Sequence, residues 1–132
     1  MKILITGSNG FLGSVIYRKL KEKKYKTKKL IFKEICKKKN NKIKKILDKE
    51  FFNYKPDIII HCATFFTKSN SNFSKKNTLK INFTVPSMLL DVSNKYSISK
   101  FINIGTAHEF EKNSGKFYPY LTTKKIWHKP YK

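Results

Sequence analysis

Tyr120 and Lys124 stand four residues apart in the run YLTTK, and on a helix that spacing puts both side chains on one face. An ammonium beside a phenol stabilises the phenolate, so such a tyrosine releases its proton below its ordinary pKa. It can then move a proton to or from a substrate hydroxyl while a hydride moves to or from a nicotinamide. Thr106, which with Gly105 follows the run at 101–104, could hydrogen-bond the same oxygen. In a chain with seven Tyr and 29 Lys the pair says little alone. Its weight comes from a second cluster far upstream.

That cluster is MKILITGSNGFLG, at residues 1–13. Three of the chain's five glycines fall here, as Gly7, Gly10 and Gly13. A short apolar strand, a glycine-rich turn and then a helix is the context in which such a pattern carries meaning. Gly7 permits a tight turn with positive φ. Gly10, without a Cβ, lets a pyrophosphate approach the main chain, and Gly13 lets the helix pack close to the strand. The N–H groups at the helix start then face the phosphates, assisted by the helix dipole. The competing reading is an ordinary strand-to-helix turn.

The elements that must position these residues can be taken in order. Residues 1–6 read as a buried parallel strand, and 14–24 as a helix with Val15, Ile16, Tyr17 and Leu20 inward. Residues 28–32 read as a second strand with Leu30, Ile31 and Phe32 as its core. Its end selects the cofactor. If Lys33 takes the position beside the adenosine ribose, a 2′-phosphate is favoured and the cofactor is NADP. If Glu34 reaches the 2′-hydroxyl, it is NAD. Alternatively neither touches the cofactor. The balance leans to NADP. Residues 36–42 (CKKKNNK) read as a loop, and 43–54 as a helix with Ile43, Ile46, Leu47, Phe51 and Tyr54 on one face. Residues 57–64 (DIIIHCAT) form a central strand and 65–77 a mobile loop. Residues 78–96 are mainly helical, with Pro86 kinking or restarting the helix. A strand at 101–104, a loop at 107–119 and a helix from Tyr120 to Trp127 complete the chain. The alternation of strand and helix predicts one α/β domain over 1–132, a doubly wound parallel sheet of about five strands.

Composition bounds the function. The net charge of +22 invites a nucleic-acid partner, but the 30 basic residues are 29 Lys and one Arg, Arg18. Bidentate phosphate and base contacts favour Arg. The wealth of Lys, Asn, Ile, Phe and Tyr, with Ala only at 63 and 107, matches the residues that A- and T-only codons encode. Lysine therefore reads as filling exposed positions, and no specific nucleic-acid partner is expected. No leader peptide is visible, and no run approaches the roughly 18 apolar residues a membrane span needs, so no membrane partner and a cytoplasmic location are expected. Cys36 and Cys62 lack a metal-ligand spacing and read as free thiols. His61 beside Cys62 suggests a metal pair, but in a buried strand it reads as a packed side chain. No metal is expected. His108 and Glu109 read as loop residues within reach of a substrate, and Trp127 as core or interface.

The ordered set TGSNGFLG at 6–13, PDIIIHCAT at 56–64, Asn82 in INFTVPSMLLD, FINIGT at 101–106 and YLTTK at 120–124 resembles the NAD-dependent epimerase/dehydratase family. These are extended short-chain dehydrogenase/reductases acting on nucleotide sugars. The resemblance spans nearly the whole chain and implies a Rossmann-type sheet binding NAD or NADP. It places Asn9 with Gly7, Gly10 and Gly13 in the pyrophosphate turn, and Phe11 and Leu12 over the phosphates. Ala63 and Thr64 would flank the cofactor ribose, and Asn82 would line the site. Thr106 would take the Ser/Thr position, Tyr120 would be the acid/base, and Lys124 would bind the nicotinamide ribose and tune Tyr120. A nucleotide-sugar substrate and a homodimer formed through the 78–96 and Tyr120 helices are also implied. Phe110 departs from the family's usual Tyr, and the 106–120 loop is short, resembling deoxysugar-nucleotide reductases or synthases. The chain ends at Lys132, ahead of the family's sixth strand and substrate region, and so reads as C-terminally truncated. Two other readings stay open: a cofactor-binding module without turnover, and a basic polyanion-binding protein.

Overall fold

A computed structural model describes residues 1–66 and 71–105 of the chain. Thr106, His108, Glu109, Phe110, Tyr120, Lys124 and Trp127 therefore lie outside the described residues, as do the expected loop at 107–119 and the final helix. The described part alternates strand and helix: β1 Lys2–Thr6, α1 Phe11–Glu22, β2 Lys26–Leu30, α2 Phe32–Cys36, α3 Asn40–Tyr54, β3 Ile58–His61, α4 Asn72–Leu79, a π-helical turn Lys80–Thr84, α5 Val85–Lys95 and β4 Lys100–Asn103. The described strands form one parallel sheet of four, in the order β2-β1-β3-β4.

That order and the right-handedness of parallel crossovers decide where the helices go. The chain steps one way from β1 to β2 and the other way from β2 to β3 to β4. α1 therefore covers one face, and α3 and α5 the other. The cores follow. Ile3, Ile5 and Ile60 pack with Ile16, Tyr17 and Leu20 of α1. Leu4, Leu30 and Ile59 pack with Ile43, Leu47 and Phe51 of α3 and Val85, Leu89 and Val92 of α5. Full burial of each such side chain is worth about 1.5–3 kcal/mol. The switch in crossover direction falls between β1 and β3, at whose carboxyl ends open α/β sheets place their ligands. Ile102, in register with Ile60 on the α1 side, stays 37% exposed.

Several boundaries depart from the sequence reading. β2 ends at Leu30, two residues early. Ile31 is exposed, and Phe32 is buried in α2 with its ring edge-on to His61, centroids 5.0 Å apart. The apolar run Leu30-Ile31-Phe32 is a strand end passing into a helix, because β2 has a strand partner on one side only among the described residues. The expected loop at 36–42 contains the end of α2 and the start of α3. The expected loop at 65–77 contains the start of α4, which Ser71 caps by accepting the Ser74 N–H at 3.2 Å. The irregularity in the following helix precedes Pro86 rather than centring on it. Pro86 sits in the first turn of α5, where a missing N–H costs little, and the π turn lies just before it. No helix among the described residues is long and apolar enough to cross a membrane.

Candidate functional site

The turn after β1 is built by backbone crowding. Gly7 has φ +70°, and a Cβ there would lie 2.5 Å from Ala63 N and 2.6 Å from the Cys62 carbonyl carbon. A Cβ on Gly13 would collide with the Gly7 carbonyl oxygen and lie 2.7 Å from its carbon. These two glycines let β1, β3 and α1 meet at the switch point. Gly10 differs. It is exposed, its φ of −81° suits any residue, and a Cβ would meet only Gly7 O at 3.3 Å. Its bare main chain faces outward, as a cradle for a ligand requires.

Gly10 N–H bonds to Gly7 O at 3.0 Å, which closes the turn. As the N-cap residue of α1, Gly10 supplies no side-chain cap, and the first turn of the helix contains no acidic residue. The first helical bond runs from Ser14 N–H to Gly10 O at 2.9 Å. The N–H groups of Phe11, Leu12 and Gly13 precede it and carry the positive end of the helix dipole. Phe11 is 91% exposed and Leu12 45%, both at the mouth of this turn. Asn9 is exposed at its tip, while Ser8 is buried beneath it.

The second wall is the end of β3. Thr6, fully buried, hydrogen-bonds His61 Nδ1 at 2.7 Å through its hydroxyl, which also accepts the Ala63 N–H at 3.3 Å. His61 lies between Phe32 and Phe101 and is a packed side chain. Among the described residues no three His, Cys, Asp or Glu side chains gather as metal ligands. Beyond β3, Asn82 reaches out of the π turn. Its Oδ1 accepts the Phe65 N–H at 2.7 Å and the Thr64 hydroxyl at 3.2 Å, and its amide donates to Phe65 O at 2.9 Å. Asn82 itself is 2% exposed, so it positions the Thr64–Phe65 backbone from beneath. Ala63 is buried against the Gly7 turn and Thr64 is exposed above it.

Lys33 lies outside this knot, exposed on α2 just past β2. Glu34 beside it is engaged by Lys37 Nζ at 2.7 Å. That hydrogen bond and charge, with the charges of Lys33 and Lys38 added, hold the Glu34 carboxyl below its ordinary pKa. The end of β2 thus presents three ammonium groups around one carboxylate, whose Oε1 Lys37 engages. Of the thiols, Cys36 is buried in α2 and its pKa is pushed up to about 12, whereas Cys62 is half-buried beside the Gly7 turn.

The structure brings together Gly7, Gly10, Gly13 and Ala63 in one knot, and Thr64 and Asn82 in another. Sequence reasoning missed the roles of Thr6 and Phe65. Thr6 is the polar residue closing an apolar strand, which is a signal for it; Phe65 participates through its backbone, which leaves none. The knot at the switch point fits a dinucleotide pyrophosphate. A Cβ would fill the close contacts at Gly7 and Gly13, while the Gly10 main chain stays open.

The comparisons agree with this architecture. The model of the NAD dependent epimerase/dehydratase family matches residues 3–131. Among solved structures, UDP-glucose 4-epimerase of Thermus thermophilus, in complex with NAD, superposes with a TM-score of 0.77 at 20% identity, over 96% of this chain and 48% of that one. A dTDP-4-dehydrorhamnose reductase of Clostridium acetobutylicum gives 0.73 at 28% identity, over 95% and 46%. The corresponding reductase of Bacillus anthracis, in complex with NADP, gives 0.73 at 22%, over 95% and 47%. The chain spans about half the length of these structures. No curated protein matches it in sequence.

Proposed function

The chain belongs to the NAD dependent epimerase/dehydratase family, and from that premise we propose that it holds NAD or NADP at the Gly7–Gly13 turn and serves hydride transfer on a nucleotide sugar. The observation that carries the proposal is the knot at the switch point. Gly7 at φ +70° is pressed on Ala63, Gly13 is pressed on Gly7, and the open Gly10 main chain leads into an uncapped helix start. The first-turn N–H groups of α1 would hold the pyrophosphate, and Asn9, Phe11 and Leu12 would flank it. Ala63, Thr64 and the Asn82-held backbone would bound the ribose side. When bound, the nicotinamide supplies the hydride acceptor or donor. Tyr120 would move the proton of the sugar hydroxyl, Lys124 would bind the ribose and lower the phenol's pKa, and Thr106 would hydrogen-bond the same oxygen.

Lys33 supports NADP over NAD. Lys33, Lys37 and Lys38 around the single carboxylate of Glu34 leave the charge there positive, which favours a 2′-phosphate. Titration calorimetry of NADPH and NADH against the full chain tests both statements. NADPH should bind at least tenfold tighter at low salt. Tighter NADH binding would reverse the preference, and no binding of either would remove the function. Turnover with nucleotide sugars then separates an enzyme from a cofactor-binding module. A soluble cytoplasmic protein, dimerising through the helix that includes α5, is part of the same proposal.

A further inference from the structure

The lysines that the cofactor turn does not use gather at the opposite end of the sheet. A shallow depression at the amino-terminal edge is lined by Lys2, Lys24, Tyr25, Lys26, Lys55 and Asp57. Its one carboxylate is already engaged: Asp57 accepts the Lys2 backbone N–H at 2.6 Å and lies 3.9 Å from the terminal amino group. Four described lysines find acidic partners, Lys19 in Glu22, Lys28 in Glu50, Lys37 in Glu34 and Lys95 in Asp48. Among the described residues Lys24, Lys26 and Lys55, like most of the lysines, have none.

Aromatic rings are interleaved with this charge. Tyr25 is 38% exposed in the depression wall. Next to it, Lys2 and Lys28 lie over the Tyr54 ring at 6.0 and 5.5 Å. Lysines on an edge strand also discourage unwanted strand pairing, which accounts for Lys28 and Lys29 in β2. It does not account for Lys24 and Lys55. These two follow α1 and α3 in the left-handed conformation, with φ of 59° and 49°, where glycine or asparagine is the usual occupant.

We propose that this edge docks single-stranded nucleic acid without sequence preference, at a surface separate from the cofactor turn. Lysine ammonium groups suit the phosphates as point charges, and a half-exposed tyrosine suits a base face. The lone Arg18 leaves little bidentate base reading, which is why the docking is indifferent to sequence. The test is fluorescence anisotropy of the full chain with a labelled oligouridylate of about twenty nucleotides, over a range of salt. The triple variant Lys24→Gln, Lys26→Gln, Lys55→Gln should weaken binding at least tenfold and flatten the salt slope by about 2. The charge-matched triple Lys42→Gln, Lys44→Gln, Lys45→Gln, on the exposed face of α3, should weaken it less than threefold. Tyr25→Ala should weaken oligouridylate binding several-fold and leave inorganic polyphosphate binding unchanged. Equal losses from the two triples would mean diffuse charge and overturn the proposal. So would a Tyr25→Ala variant that binds oligouridylate as the wild type does, or displacement of the oligonucleotide by NADPH. NADPH affinity of the first triple, unchanged near physiological salt, is the separate readout for the cofactor site.

Discussion

A single methyl group should have opposite consequences at two glycines three residues apart. At Gly7 the left-handed φ of +70° costs a non-glycine residue about 1–2 kcal/mol. The added Cβ would also sit 2.5–2.7 Å from the backbone of Cys62 and Ala63. No flexible side chain can yield there, so β3 must shift against β1, which adds the roughly 1–3 kcal/mol typical of overpacking. Gly7→Ala should therefore lose about 2–5 kcal/mol, a large share of the 5–15 kcal/mol that holds an ordinary domain together. Gly10→Ala meets only Gly7 O at 3.3 Å, at a φ of −81° that alanine adopts freely. Its weaker capping is offset by the lower entropy of its unfolded chain, and stability should stay within about 1 kcal/mol. Its cofactor affinity should nevertheless fall at least tenfold, because the methyl stands where the pyrophosphate must approach. Urea denaturation followed by circular dichroism, with calorimetric titration of NADPH on each folded variant, measures both quantities. A Gly10→Ala variant that binds like wild type refutes the pyrophosphate assignment. A Gly7→Ala variant as stable as wild type refutes the crowding argument.

Four other outcomes can be measured, three from the described geometry and one from the proposed acid/base role. Asn82→Ala should cost about 2–3 kcal/mol in urea denaturation, since it strands the Phe65 N–H and C=O that the amide now satisfies; a loss under about 0.5 kcal/mol would show water replacing it. Iodoacetamide at mildly alkaline pH, read by mass spectrometry, should label Cys62 well before Cys36, and equal rates would contradict the burial of Cys36. The folded Cys36 thiol keeps its proton to about 12 while the unfolded one loses it near 9, so this group withdraws stability as the pH rises across that window, by about 1.4 kcal/mol per unit; Cys36→Ala should flatten that slope. Tyr120→Phe should leave NADPH affinity nearly unchanged and abolish any turnover with a nucleotide sugar, and retained turnover would remove Tyr120 from the acid/base role.

What the sequence reveals and what it hides divide along a physical line. The Gly7–Gly13 turn is legible because its requirement is local: a missing Cβ is written in the residue type, and the strand before and helix after are written in the neighbouring pattern. The parallel sheet is legible because the apolar runs Ile3–Ile5 and Ile58–Ile60 have no solvent side to show. The end of β2 is not, since Leu30-Ile31-Phe32 reads as one apolar stretch. Phe32 turns inward on a helix, into the core with Leu30 and Ile35 and against the His61 ring brought in from β3, while Ile31 stays out. That shift matters for the site. It moves Lys33 from a strand terminus onto the first turn of α2, where Lys37 and Lys38 also stand close to Glu34. A residue-by-residue reading leaves Lys33 and Glu34 as rivals for the ribose. The fold makes them unequal, because Lys33, Lys37 and Lys38 surround the one carboxylate of Glu34 and leave the local charge positive. Asn82 is named as a site residue by the family resemblance, but its hold on the Phe65 backbone is hidden for a related reason. Its spacing among Ile81, Phe83 and Val85 reads as an ordinary helix, whereas the π turn aims its amide across to Phe65. The residues the sequence conceals are thus those whose partners come from another strand or helix, and in this chain they are the ones that hold the ends of β2 and β3 around the glycine turn.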